Sequence, residues 1–310
     1  MYHDLKTSYL DYAKFLKEVY YDVYEELLRN FPLSDIEETT KWDPLWSRFE
    51  EALGDLYAEE MFDVSMDKYS DYVANPASDD FSDGDWDTIA IYIEQDIDEL
   101  LKSLKDTFSE FISSVKFNTL GSEKKINIDK ESFYLTFNYT PTLECYYEID
   151  RERILYIHNR SNEDEDLILG HAVDKPDVFK EPEMPEGLTD EQAQEWIDFQ
   201  SDNYNLSVER GKWEIQNYYF KTLKKTKDIL IKNQSVFNNF SSLKEILILG
   251  HSVSAVDYPY FKEIVKITDA NNVKWKVSYY NEGSIISLKD NLKNVGVPEA
   301  NIQFVKLENL

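Results

Sequence analysis

Three of the four histidines in this chain follow directly on short apolar runs. The segments are Tyr156-Ile157-His158-Asn159, Leu167-Ile168-Leu169-Gly170-His171 and Leu247-Ile248-Leu249-Gly250-His251-Ser252-Val253-Ser254. A fourth run ends in amide and hydroxyl chemistry, Thr136-Phe137-Asn138-Tyr139-Thr140. Imidazole titrates near neutral pH and can give or take a proton. Asn138 can donate and accept without changing charge, which suits an amide or a ribose hydroxyl. Gly250 before His251 permits a ligand to come close to the backbone. A lone histidine after a strand more often orders a loop, but three of them point to a site. Metal binding by the histidines with Asp257 is the competing use. No His-x-x-x-His or Cys-x-x-Cys spacing supports it, so no metal is expected. A Ser-His-Asp arrangement from Ser252 or Ser254 lacks the second glycine of a Gly-x-Ser-x-Gly elbow.

These residues need elements to hold them. The first 116 residues read as helical. Tyr12, Leu16, Val19, Tyr20, Val23 and Leu27 predict one helix that stops near Asn30-Phe31-Pro32. Asp43 as N-cap and Pro44 after it open a second, with Leu45, Phe49, Ala52, Leu53 and Leu56 on one face. The acidic stretch Ser78–Asp87 resembles a calcium loop only in its Asp-Gly; Phe81 and Ala90 occupy ligand positions, so it reads as a solvated loop. A third helix is predicted from about Thr88 to Ser114. Ser132–Phe137, Ile154–Ile157 and Leu167–Leu169 are β-prone. Residues 160–188, acidic and proline-bearing, read as a surface excursion. Thr189 and Gln192 form a capping-box signature for a helical stretch to about Lys232, interrupted near Asp202–Asn205. The remainder alternates: strand Glu245–Gly250, helix Tyr258–Ile267 with Asp257 as N-cap, strand Lys274–Tyr280, helix Ser284–Asn294 closed by Gly296, strand Ile302–Val305. That order implies a parallel sheet, and ligands of such sheets bind beyond the carboxyl ends of the strands. The fold class expected is α/β, with a mainly helical segment 1–130 and a parallel-sheet core 131–310 carrying a helical insertion around 160–240.

Composition narrows the functions. The 310 residues carry a formal charge of −28, which disfavours direct binding to nucleic acid or an anionic membrane. Lys221, Lys224, Lys225 and Lys227 read as a helix face in water. The single cysteine, Cys145, excludes an internal disulfide, suits a reducing cytoplasm and reads as a small buried filler. No apolar run is long enough to span a membrane, and no signal peptide is evident.

In combination, several segments resemble the AbiH family of phage abortive-infection proteins. They are His3-Asp4-Leu5-Lys6-Thr7-Ser8-Tyr9, Leu135–Thr140 with Leu143-Glu144, Ile154–His158, and Leu249–Ser254 with Asp257 and Tyr260-Phe261. Family members open with a strand and a Gly-Asn-Gly-Phe-Asp turn ahead of the histidine that His3 matches. This sequence begins almost at that histidine, so either a misassigned start codon or a truncated or diverged member is expected; the turn that would hold phosphate is not in the sequence as given.

The family pattern is in turn distantly similar to sirtuin-like NAD-consuming domains, which implies a Rossmann-like core. By that resemblance Asn138 would contact the nicotinamide side of NAD, and His158 would be general base on a ribose hydroxyl. Thr136, Phe137, Tyr139, Gly250, His251, Ser252, Ser254 and Asp257 would line the nucleotide. Thr140 stands where an acidic residue is expected, and Asn159 where a glycine is. The expectation is an anti-phage protein cleaving NAD or a related nucleotide as substrate, with no bound cofactor. The alternative is a non-catalytic module that binds a nucleotide or a phage or host protein. Homo-oligomerisation is left open.

Overall fold

The computed structural model describes residues 3, 5–117, 125–163, 165–173, 178–180, 182–269 and 272–310. Asp4 of the N-terminal motif and part of the acidic segment 160–188 lie outside the described residues.

The chain is mixed α/β and mostly helical. In order it forms α1 (Tyr9–Val19), α2 (Tyr21–Asn30), α3 (Phe49–Ala52), α4 (Ala58–Lys68), α5 (Thr88–Ser113), β1 (Tyr134–Thr136), α6 (Thr142–Tyr147) and β2 (Ile154–Tyr156). It continues with α7 (Asp190–Asp202), α8 (Leu206–Thr222), α9 (Thr226–Lys232), α10 (Gln234–Asn238), β3 (Glu245–Ile248), α11 (Tyr258–Ile267), β4 (Lys274–Tyr279), α12 (Ser284–Asn294) and β5 (Ile302–Lys306). Two compact units result. One comprises residues 1–12, 108–172 and 224–310; the other comprises 13–107 and 173–223.

The first unit holds every strand among the described residues. β1 pairs β2 in parallel, Leu135 opposite Leu155. β3, β4 and β5 form a second parallel sheet, with Ile248 opposite Val277 and Val277 opposite Phe304. The expected single parallel sheet is thus two small ones. They share an apolar cluster: Ile157, Ile248, Val253, Tyr260, Phe261, Trp275 and Leu292 are buried in it, and Leu135, Phe137 and Leu155 pack against it. Burial of such side chains at ~1.5–3 kcal/mol each is what holds strands of three to six residues in place. The segment Leu167–Leu169, expected as a strand, is not one. Ile168 N–H donates to the His158 carbonyl at 3.0 Å, just past β2, and the Ile168 carbonyl accepts from the Tyr139 hydroxyl at 2.9 Å.

In the second unit the apolar faces of α2, α5 and α8 are buried. Tyr24, Leu27, Trp46, Phe49, Ile89, Ile93, Ile97, Ile215 and Tyr218 are all inaccessible or nearly so. The expected first helix is two helices. Tyr20 leaves the helical region (φ −131°, ψ 57°), and α2 is re-aimed so that Tyr24 stacks on Trp46 at 6.1 Å. Asp43 caps as expected, its Oδ1 accepting Leu45 N–H and Trp46 N–H at 2.9 Å each. The capped segment is a short 3-10 turn, Trp46–Arg48, leading into α3, because Trp46 is drawn inward to donate Nε1–H to the Ser34 carbonyl at 2.8 Å. The acidic loop ends in a capping box, Ser82 N–H donating to Asp85 Oδ2 at 2.9 Å, ahead of α5. Thr189 with Gln192 caps α7, and Asn205 caps α8.

Candidate active site at the strand ends

The carboxyl ends of β1, β2 and β3 converge within the first unit. Phe137, just past β1, is the hinge of the arrangement. Its ring centroid lies 5.6 Å from that of His158, 4.3 Å from His251 and 5.7 Å from Tyr260, and it stacks on Phe261 at 5.5 Å. Asn138, the next residue, faces solvent. Its N–H donates to Thr136 Oγ1 at 3.2 Å, so the buried Thr136 shapes the turn from within. Tyr139 is buried with its ring 6.1 Å from His158, and its hydroxyl donates to the Ile168 carbonyl at 2.9 Å.

Asp257 is the centre of charge. It precedes α11, where a carboxylate would ordinarily cap the helix, yet its side chain makes no capping bond. Oδ2 instead faces His251 Nε2 at 3.3 Å and Ser254 Oγ at 3.4 Å. Val253 N–H donates to His251 Nδ1 at 2.8 Å, which leaves Nε2 as the nitrogen that can donate to the carboxylate. Oδ1 faces His158 Nε2 at 3.6 Å and Lys224 Nζ at 3.9 Å, and it is a buried oxygen without a hydrogen-bond partner. Asp257 is only 5 % exposed. Burial pushes its carboxyl up, but the His251 hydrogen bond and the Lys224 charge outweigh burial and lower it to about 2. The N-terminal end of α11 adds a favourable dipole for the anion.

His158 is 2 % exposed. Burial, and next the Lys224 ammonium, hold it well below the ordinary imidazole range, so the ring is neutral at physiological pH. A neutral, enclosed ring is a different environment from that of a solvent-facing base.

The backbone here is tight. Gly250 (φ 62°) and Val253 (φ 51°) flank His251, and Asn159 (φ 65°) follows His158. A β-branched residue at positive φ is a true outlier of the kind that collects at functional sites. Asn159 adopts the left-handed conformation that glycine takes most readily. Gly250 and Ser252 are exposed, and His251 and Ser254 partly so.

Two residues stand apart from their expected environments. Lys224 is buried beside His158 and Asp257, not on a helix face in water, because it falls just beyond α8, where the chain turns inward. Nothing in the local pattern separates it from Lys225. Cys145 is exposed instead of buried, since α6 turns Tyr146 and Tyr147 to the core. Partial desolvation of the sulfur and the Glu144 carboxylate push its thiol up, away from a reactive thiolate. His171 is buried, with its carbonyl accepting Lys224 N–H at 2.9 Å, and His3 bonds Tyr147 Oη through Nε2 at 2.6 Å.

Parallel strands ending in a buried Asp–His–Lys cluster define a mixed α/β protein with a strand-end polar site. The chain matches the bacteriophage abortive infection AbiH family over residues 1–279 and belongs to that family. It is therefore an anti-phage abortive-infection protein. No curated protein and no solved structure is significantly similar to it. A Rossmann or sirtuin-like fold is accordingly not established. Among the described residues no helix is long and apolar enough to cross a membrane.

Proposed function

We propose that the abortive-infection activity is the hydrolysis of an N-glycosidic bond in NAD or a related nucleotide, at the strand-end cluster. The observation that carries this reading is the buried, ionised Asp257 whose Oδ1 has no hydrogen-bond partner. In such a cleavage the bond from ribose C1′ to the base nitrogen breaks, and its electron pair leaves with the base. Water then adds its oxygen to C1′ and loses a proton. The ribose carries positive charge in the transition state, and a fixed carboxylate in a dry site stabilises that charge far better than water does. Asn138, exposed beside the cluster, is suited to hold the carboxamide of a nicotinamide. His251 and Ser254 hold the carboxylate from its other oxygen.

A second reading has its own support. His158 and Asp257 are both almost fully covered, which fits a structural polar core beneath a binding surface formed by Asn138, Gly250 and Ser252. That module would bind a nucleotide, or a phage or host protein, without turnover.

Incubation of purified protein with NAD, alone and in phage-infected lysate, separates the two. The enzyme reading expects nicotinamide release by chromatography and its loss by more than ~100-fold in Asp257→Asn. No release under either condition overturns it. A nucleotide-induced rise in Tm without turnover would then support the binding module.

A further inference from the structure

Lys224 is the buried charge to which the proposed chemistry assigns no role. It is 4 % exposed, with Nζ 3.4 Å from His158 Nε2 and 3.9 Å from Asp257 Oδ1. An ammonium carries three hydrogens and no lone pair, so at His158 it can only donate. Nε2 must then be the acceptor nitrogen, and the single ring hydrogen sits on Nδ1. His158 Nε2 and Asp257 Oδ1 stand 3.6 Å apart, beyond hydrogen-bond distance, so the carboxylate does not compete with Lys224 for Nε2.

We infer that Lys224 is a positioning residue of this site, fixing His158 as the uncharged Nδ1–H tautomer, so that Nε2 does not donate to Asp257. The inference rests on the reading of this cluster as the functional site, but the tautomer it specifies belongs to the unliganded protein. The groups that face His158 are consistent with it. Lys224 comes from the segment before α9, and Asp257 and His251 from the connection between β3 and α11. Tyr260 comes from α11, and Phe137 and Tyr139 from the turn after β1. Among them Asp257 alone favours a charged imidazole. Burial and the ammonium oppose it.

The test is nitrogen-detected NMR of the full chain with labelled histidine, the four rings assigned by single His→Gln substitutions. In the wild type, His158 should show a protonated Nδ1 and an unprotonated Nε2, unchanged from about pH 8 to about pH 5. Lys224→Arg, which retains a donor, should keep that signature. Lys224→Met should move the hydrogen to Nε2 or bring a titration of the ring into the same range. A wild-type ring with Nε2–H, or one that charges within that range, overturns the inference. So does a folded Lys224→Met with an unchanged signature. Should Lys224→Met fail to fold, the wild-type tautomer and the Lys224→Arg spectrum decide the matter. Absence of NAD turnover alongside the expected tautomer would overturn the enzymatic reading alone.

Discussion

Asp257 Oδ2 lies 3.3 Å from His251 Nε2, although Asp257 stands at the head of α11 and would ordinarily use its carboxylate to cap that helix. The helix forgoes the cap, and the side chain is held instead among His251, Ser254, His158 and Lys224. A cap is worth about 1 kcal/mol. Its diversion marks the cluster as the stronger demand on this residue.

Removing both charges of the buried pair should cost less than the two single removals summed. Asp257→Asn or Lys224→Met should each lower unfolding free energy by about 3 kcal/mol, since each leaves the other charge uncompensated. The double variant should fall short of the sum by more than ~1 kcal/mol. Urea denaturation of the four proteins gives this coupling directly, and strict additivity would argue that the two side chains do not interact.

Stability should decline on acidification in two stages. His158 is depressed in the fold, so the unfolded chain takes up a proton first as pH drops below about 6.5. Asp257 is depressed from 3.8 to about 2, so its contribution, present above the unfolded value, is lost as pH falls through that window. Both groups bind more protons when unfolded, and both slopes therefore have the same sign. The urea midpoint followed against pH should show the upper stage, and His158→Gln should flatten it.

Asn138→Ala should separate binding from folding. The side chain is exposed, and surface substitutions of this kind change stability by no more than about 0.5 kcal/mol. If Asn138 contacts ligand, NAD turnover or the nucleotide-induced rise in Tm should fall while the urea midpoint stays put. An unchanged ligand response would remove Asn138 from the site.

Two glycines should respond to alanine for different reasons. Gly250 has φ 62° with nothing within 4 Å of an added Cβ, so Gly250→Ala incurs only backbone strain, roughly 1–2 kcal/mol. Gly211 on α8 would place its Cβ 3.0 Å from Ile93 Cδ1 and 3.1 Å from Ile89 Cγ2 on α5. Overpacking there costs about 1–3 kcal/mol, offset by the ~1 kcal/mol that alanine gains in a helix. Denaturation of both variants tests this, and a larger loss at Gly211 than at Gly250 would show that α5 cannot give way.

Much of the local structure was legible in the residues themselves. Helix α11 runs from Tyr258 to Ile267 and α12 from Ser284 to Asn294, as periodicity and the glycine stop imply. The caps at Asp43, Thr189 and Gln192 act where their side chains indicate, because a cap is a contact between residues two or three apart. The ends of β1, β2 and β3 could be read as places for chemistry because short apolar runs stop there in Asn138, His158 and His251. Tertiary structure alone decided the rest. Whether Leu167–Leu169 joins a sheet depends on the backbone brought alongside it, and there Ile168 meets the His158 carbonyl and the Tyr139 hydroxyl and no strand. Whether Lys224 meets water or a carboxylate depends on where the chain turns after α8. Asp257, legible as a helix cap, became a partner of His251 in a loop where Val253 takes a positive φ. Local pattern encodes the conformation of a segment, whereas the environment of a charge is set by groups that only the folded chain brings together.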